Sequence, residues 1–497
     1  MSQSAETSQS MPSKEPLTSN RKRLWLFRLL AIGLALTLFV VAELTCRLLG
    51  LGRPSSGPDP FAGFQDIRPL FTLDESGTQY RIPESRYNFF APETFPKKKP
   101  ERTKRIFCLG GSTVQGRPHS TPTSFPTFLE LALTIADESH EWNAINCGGI
   151  SYASYRLVPI LREVLEYEPD LIIICTGHNE FLEDRSYHHL KSPSPWLKHA
   201  VRISSHSQLL NAINQLVYSD SSPHEARPML PTETDPMLDY HNGLAAYHRD
   251  DQWHTNVMAH FEHNVRKLIA IAQNNSVPCI LVIPPSNLYD CPPFKSVVSA
   301  ESKTDARNRR QQLIDQARKT MRTDPQQVIP LLKQALAIDD RHAATWYELG
   351  KCYQSLGLQS QAHEAFVRAR DEDICPLRML SRMEEQLRQI ALTDEVPLLD
   401  MSVHMRDGHS LVDHVHPDFE GHQDIAERLT KLMADQGWCQ LNSGWQKQIK
   451  ATFVAHMDSL EDFYFLRGQR TLDALRGWTE GRADGPAAED RFSDRIP

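Results

Sequence analysis

The chain has 497 residues, of which 40% are hydrophobic and 23% are charged, and its formal net charge is −8. This composition is typical of globular proteins, and the length predicts about three domains. The acidic balance argues against a nucleic-acid-binding protein, because such proteins carry a basic surface.

The amino terminus carries the pattern of a membrane helix. Residues 1–23 form a polar tail, predicted to be disordered, that ends in Arg21-Lys22-Arg23, and residues 24–44 are almost entirely apolar. About 20 apolar residues span a bilayer, and no small-residue cleavage site follows them. We therefore predict an uncleaved transmembrane helix. The basic cluster predicts a cytoplasmic amino terminus and an exported body on the extracytoplasmic or periplasmic side.

The next part of the chain changes from a linker pattern to an α/β pattern. Residues 53–104 contain several prolines and glycines, which predicts a linker and lead-in with an edge hairpin near Thr78–Pro83. From Arg105 onwards apolar runs alternate with helical patterns, which predicts a parallel sheet. The predicted strands are Ile106–Leu109, Ala144–Asn146, Asp170–Thr176, Cys279–Ile283 and Pro397–Asp400, and the predicted helices are Pro126–Asp137, Tyr155–Glu166, Val257–Asn274 and Phe419–Met433.

A first insertion, Asp184–Gln252, interrupts this alternation after the third strand. It is rich in His, Ser and Pro and contains one helix-like stretch, Ser207–Val217. Its position predicts either a lid or substrate wall beside the carboxyl end of the strand, or a disordered excursion.

A second insertion, residues 305–376, has a helical pattern. It contains W-x2-L-G-x2-Y followed by A-x3-F-x2-A, at Trp346, Leu349, Gly350, Tyr353, Ala362, Phe366 and Ala369. This resembles a tetratricopeptide repeat. The preceding stretches Asn308–Arg322 and Pro325–Ile338 predict a degenerate helical pair, with Pro330 interrupting its second helix. One clear repeat is too few for an independent solenoid, so we predict packing on the host domain as a spacer, lid or protein-binding surface. Residues 441–479 predict two further helices, and residues 480–497 a disordered tail.

Four polar stretches follow the predicted strands. They are Gly110-Gly111-Ser112, Asn146–Tyr152, Thr176–Glu180 and Val412–Pro417. Because the carboxyl ends of parallel strands meet at one edge of a sheet, these stretches are expected around one crevice. A serine nucleophile needs a base, a carboxylate that orients the base, and oxyanion donors. Alone, Ser112 is equally typical of a helix cap.

Three of these stretches resemble the sequence blocks of the SGNH, or GDSL-like, hydrolase family. Gly110-Gly111-Ser112-Thr113 stands at the nucleophile block, Gly177-His178-Asn179-Glu180 at the Gly-x-Asn block, and Asp413-His414-Val415-His416 at the Asp-x-x-His block. The resemblance implies a flavodoxin-like three-layer parallel sheet. It also implies a serine esterase in which Ser112 is the nucleophile, His416 the base and Asp413 its orienting carboxylate. On this interpretation the hydrolase domain comprises residues 105–304 and 377–440.

The family pattern also implies the oxyanion donors. These are the Ser112 N–H, the Asn179 amide and one N–H of the stretch Asn146–Tyr152, with Gly149 weakly favoured over Ser151; Gly177 completes the substrate-binding set. Gly111 departs from the aspartate that the family has at this place. The implied substrate is an ester, with O-acylated glycans as candidates for an exported enzyme, and no cofactor is implied.

Other interpretations remain open at this stage. The same triad would serve an O-acyltransferase, and a catalytically inactive scaffold would use the helical insertion for protein contacts. A metal site is conceivable at Asp413, His414, His416, Asp418 and His422, although no H-E-x-x-H spacing occurs there. Nine cysteines without a C-x-x-C pair are interpreted as small core residues.

Overall fold

The computed structural model describes residues 18–49, 69–186, 209, 247–299, 304–321, 324–405 and 409–482. Most of the predicted amino-terminal tail, most of the first insertion, including Ser207–Val217 except Leu209, and residues 483–497 of the predicted tail lie outside these ranges. The described residues belong to two units. The first contains the helix Thr18–Leu49.

The amino-terminal helix includes a 23-residue stretch, Phe27–Leu49, that is long and apolar enough to cross a membrane. It overlaps the predicted span 24–44 and runs further, and Glu43 and Arg47 pair within the helix at 2.9 Å. A membrane anchor and a signal sequence share these properties.

The second unit is built on a five-stranded parallel sheet, as predicted. An antiparallel three-stranded sheet precedes it, with strands Thr72–Leu73 (β1), Gln79–Arg81 (β2) and Thr94–Pro96 (β3). The parallel strands are Thr103–Gly110 (β4), Glu141–Gly148 (β5), Leu171–Cys175 (β6), Cys279–Ile283 (β7) and Leu398–Asp400 (β8). Their spatial order is β5-β4-β6-β7-β8. This is the flavodoxin-like order, whose switch point lies between β4 and β6.

Helices cover both faces of the parallel sheet. Side chains alternate along a strand, so Phe107 and Leu109 of β4 join one core, and Ile106 and Cys108 join the other. Helices Ser154–Val164, Asp251–Asn274 and Ser381–Thr393 contribute to the first core, and Phe125–Ala136, Phe419–Asp435 and Trp445–Asp458 to the second. Further α-helices of the described part of this unit, outside the insertion, are Ser112–Gln115, Glu180–Ser186, Met401–His404 and Asp462–Arg482.

Residues 69–104 differ from the predicted linker. The Leu70 and Phe71 N–H groups donate to the Glu163 carboxylate, at 2.5 and 2.8 Å. Phe95 is buried, and its ring lies edge-on to Phe107 of β4 with 5.5 Å between centroids. The aromatic side chains of this segment therefore belong to the core. The prolines and glycines of the segment had led to its prediction as a linker.

One edge of the parallel sheet is capped by carboxylates. β5 is the edge strand, and the N–H groups of Ala144 and Asn146 donate to Glu130 at 2.7 Å and to Glu93 at 3.1 Å. Burial raises the pKa of both carboxyls, that of Glu93 to about 7.

The second insertion folds as four helices, Thr304–Met321, Pro325–Ile338, Ala343–Ser355 and Gln359–Asp371. The predicted interruption at Pro330 is wrong, because the helix Pro325–Ile338 continues through this residue. A Cβ at Gly350 would lie 2.7 Å from the Phe366 ring, so the last two helices approach closely. Tyr289, which follows β7, packs on Phe366 with ring centroids 4.9 Å apart and accepts a 2.8 Å hydrogen bond from the Tyr347 hydroxyl. The insertion thus packs on the domain that carries the sheet.

Candidate active site

Ser112 lies at the switch point of the sheet, immediately after β4. Gly111, not Ser112, occupies the cap position of the short helix Ser112–Gln115. The Ser112 hydroxyl instead lies 2.7 Å from Nε2 of His416. The helix-cap alternative for Ser112 is therefore wrong, and the hydroxyl is available to a base.

His416 and Asp413 lie together in the loop that precedes the helix Phe419–Asp435. Oδ2 of Asp413 lies 2.6 Å from Nδ1 of His416. Its other oxygen, Oδ1, accepts hydrogen bonds from the N–H groups of Val415 at 2.9 Å and His416 at 2.8 Å. The three-residue spacing lets one carboxylate bind both the ring and the backbone of the loop, so the ring has a fixed orientation.

The charge of Asp413 sets the tautomer of His416. Burial alone would raise the pKa of the Asp413 carboxyl, but His416 and His414 beside it and the hydrogen bonds from the loop hold that pKa well below its usual range. An ionised carboxylate only accepts hydrogen bonds, so Nδ1 of His416 carries the proton. The lone pair of Nε2 then faces the Ser112 hydroxyl.

Asn179 follows β6 and lies beside the Gly111–Ser112 backbone. Its Nδ2 donates to the Tyr152 carbonyl at 3.1 Å. A Cβ at Gly111 would lie 2.6 Å from the same Nδ2 atom, so the glycine leaves room for the amide. In the sequence, Gly111 was notable only because it replaces the aspartate of the family pattern. In the structure, its lack of a side chain leaves the space that the Asn179 amide occupies.

Within the stretch Asn146–Tyr152, the weakly favoured Gly149 and the alternative Ser151 differ in their backbone hydrogen bonds. The Gly149 N–H donates to the Gly110 carbonyl at 3.0 Å and is occupied. Ser151 has a left-handed backbone, with φ of 61°, and within the described part of the chain its N–H makes no hydrogen bond. The Ser112 N–H is also unbonded among the described residues. Of the two candidate donors, only the Ser151 N–H is thus left without a hydrogen bond among the described residues.

Comparisons with known proteins concern the fold. No family model matches the chain, and no curated protein matches it. It is similar to a protein assigned to the G-D-S-L lipolytic family from Desulfitobacterium hafniense, with 11% identity, a TM-score of 0.28, and 66% of this chain and 99% of that chain covered. A catalytic mutant of an acetylxylan esterase from Geobacillus stearothermophilus has 12% identity, a TM-score of 0.31, and coverage of 68% and 96%. A protein classed as an acylhydrolase from Bacteroides fragilis has 12% identity, a TM-score of 0.28, and coverage of 69% and 91%. At this level of similarity the interpretation of the site rests on its own geometry.

Gly177 and His178 support the loop that carries Asn179. Gly177 has φ of 137°, and a Cβ there would lie 2.7 Å from Sδ of Met379. Nδ1 of His178 accepts a 3.1 Å hydrogen bond from the Met379 N–H, and burial lowers the pKa of His178 to about 3. The ring is thus neutral. Met379 could not be predicted as a site residue, because no motif marks it and it follows the helical insertion in the chain.

Two residues of the candidate metal site, Asp418 and His422, accept hydrogen bonds from backbone N–H groups. Asp418 caps the following helix by accepting the Gly421 N–H at 2.7 Å. Nδ1 of His422 accepts the Phe125 N–H at 3.2 Å. Among the residues that the structure describes, no group of three or more His, Cys, Asp or Glu side chains is arranged to hold a metal ion.

The arrangement brings Ser112, His416, Asp413 and Asn179 together around one point. A buried carboxylate orients an imidazole, the imidazole faces a hydroxyl, and the Asn179 amide lies beside the backbone of Gly111, the residue before that serine. Such a set can deprotonate a serine and stabilise negative charge on an oxygen bound next to it.

Proposed function

We propose that the chain is a serine esterase that hydrolyses acyl esters. The observation that carries this proposal is the continuous hydrogen-bonded series from Asp413 through His416 to Ser112, with distances of 2.6 and 2.7 Å. Because Nδ1 of His416 donates to Asp413, Nε2 faces the Ser112 hydroxyl as an acceptor and can serve as the general base.

In the acylation step, the Ser112 oxygen attacks the ester carbonyl carbon, and its proton moves to Nε2 of His416. Asp413 stabilises the resulting imidazolium. The carbonyl oxygen becomes an oxyanion that accepts from the N–H groups of Ser112 and Ser151 and from the Asn179 amide. When the tetrahedral intermediate collapses, the bond to the alcohol breaks, and His416 returns its proton to the departing alkoxide.

In the deacylation step, water replaces the alcohol. His416 removes a proton from the water as the water oxygen attacks the acyl carbon of the Ser112 ester. The same three donors stabilise the second tetrahedral intermediate. Its collapse restores the Ser112 hydroxyl and releases the carboxylic acid.

We further propose that the amino-terminal helix is an uncleaved anchor with the body exported. The basic cluster Arg21-Lys22-Arg23 before the apolar stretch supports this orientation. An exported esterase meets O-acylated glycans and other envelope esters, which we propose as the substrate class. Intact-protein mass after expression separates an anchor from a cleaved signal sequence. Protease added to spheroplasts should degrade the body, and protection of the body would contradict the topology.

A fluorophosphonate probe tests the esterase proposal. We expect the wild-type protein to react covalently at Ser112 and the Ser112→Ala variant to remain unlabelled. Ser124→Ala is a control, because Ser124 is also buried but its hydroxyl donates to the Thr121 carbonyl. Labelling that persists in Ser112→Ala would refute the assignment of the nucleophile.

A further inference from the structure

The two chain segments that connect the helical insertion to the sheet domain meet in a buried polar cluster. Asp373, on the returning segment, accepts hydrogen bonds from the N–H groups of Phe294 at 2.7 Å and Lys295 at 2.9 Å on the outgoing segment. It also accepts the Cys375 N–H at 3.0 Å. One carboxylate thus joins both connections at the base of the insertion.

Arg378 extends this cluster towards β7. Its side chain is only 2% exposed and lies 3.9 Å from the Asp373 carboxylate. Its Nη1 donates to the carbonyls of Asn287 at 2.8 Å and Cys291 at 2.7 Å, and its Nη2 donates to the Pro292 carbonyl at 3.4 Å. A planar guanidinium that binds three carbonyls of one segment fixes the path of that segment.

The same cluster contacts both loops of the candidate active site. Asn287, whose carbonyl accepts from Arg378, donates its N–H to the His414 carbonyl at 2.9 Å. His414 is the residue after Asp413. Met379, next to Arg378, donates its N–H to Nδ1 of His178. Two adjacent residues therefore link the loop of the base to the loop of the oxyanion donor.

We infer that Arg378 is a positioning residue for catalysis, through which the root of the helical insertion sets the distance between these two loops. The inference rests on the proposed esterase function. Arg378 reaches the base through Asn287 and His414, and it reaches Asn179 through the Met379 amide and His178. Because a displacement of about 1 Å in such a site costs about 100-fold in rate, a loosened cluster should slow the reaction without abolishing substrate binding.

Arg370 provides a matched control for Arg378. Its side chain is 3% exposed, and it pairs with Glu384 and with the Ser381 hydroxyl, both on the helix Ser381–Thr393, at 2.5 Å each. Arg370→Met and Arg378→Met each remove a buried guanidinium, so both should lower the melting temperature. Only Arg378→Met should lower kcat, by about 10- to 100-fold with KM little changed. Arg378→Lys, which keeps the charge beside Asp373, should recover part of kcat and is the variant to use if Arg378→Met does not fold.

A second measurement tests the connection between Arg378 and His178 independently of catalysis. In the wild type and in Arg370→Met, the ¹⁵N spectrum should show Nδ1 of His178 unprotonated and hydrogen-bonded, and Arg378→Met should shift that signal. An unlabelled wild-type protein in the fluorophosphonate assay would refute the esterase proposal. Folded Arg378 variants that match Arg370→Met in both kcat and the His178 spectrum would overturn the positioning role.

Discussion

The substitution Asp413→Asn tests the role of the carboxylate while leaving its shape unchanged. In the wild type, Oδ1 accepts two backbone N–H groups and Oδ2 faces Nδ1 of His416. An asparagine can keep its oxygen on the backbone side and turn its NH2 group towards His416. Nδ1 must then accept, so the proton moves to Nε2, which can no longer take the proton of Ser112.

The expected loss follows from that change of tautomer. A tautomer error of this kind lowers kcat by about 10,000-fold, which is about 5 kcal/mol of activation free energy. The melting temperature should change little, because the two backbone hydrogen bonds remain. Asp413→Ala removes those bonds as well, so it should lose similar activity and also about 1–3 kcal/mol of stability.

Steady-state hydrolysis of p-nitrophenyl acetate and the rate of fluorophosphonate labelling measure the effect. Asp418→Asn is the control, since this nearby carboxylate caps a helix through the Gly421 N–H, and its replacement should leave kcat unchanged. An Asp413→Asn enzyme within tenfold of the wild-type rate would refute the assignment of Asp413 as the residue that orients the base.

Three further outcomes are expected. Asn179→Ala should lower kcat by about 100- to 1,000-fold through loss of an oxyanion donor, while slow fluorophosphonate labelling persists. Gly177→Ala should cost about 1–3 kcal/mol of stability in thermal unfolding, because its φ of 137° and the Met379 sulfur 2.7 Å from its Cβ both oppose a side chain; unchanged stability would contradict this packing. Burial lowers the pKa of His342 to about 3, against about 6.5 in the unfolded chain, so stability that is complete above about pH 6.5 is lost as the pH falls. The variant His342→Asn keeps a cap for the Thr345 N–H but does not titrate. Relative to this variant, the wild-type free energy of unfolding should fall by about 1.4 kcal/mol per pH unit between about pH 6.5 and 4. A difference that stays constant with pH would contradict the pKa shift.

The buried strands were predictable because their patterns are local. β7 spans Cys279–Ile283 as predicted, since an uninterrupted apolar run between two prolines has few alternatives. β5 is longer than predicted, because its polar edge positions at Glu141 and Asn143 lack the apolar signal of a central strand. The lead-in was assigned as a linker because its aromatic residues follow no regular period, although they pack in the core.

The candidate site was predictable as far as it follows strand ends. Ser112, Asn179 and His416 follow strands whose carboxyl ends parallel topology must bring to one edge. The preference between Gly149 and Ser151 was not predictable, because the direction of a backbone N–H does not depend on residue type. The contacts of Arg378 were likewise not predictable, because the helical insertion separates this residue in the sequence from the segment that it binds.

The carboxylate-capped edge of β5 has a consequence for self-association. An open edge strand is a template for a strand from another copy, and it is the usual starting point of runaway sheet growth. Here the acceptors that a second copy would offer to Ala144 and Asn146 are already supplied by Glu130 and Glu93. Protonation of Glu93 near pH 7 leaves its carbonyl oxygen able to accept, so acidification preserves the block. Removing both carboxylates should therefore leave the N–H groups of this edge free to pair with a strand from another copy.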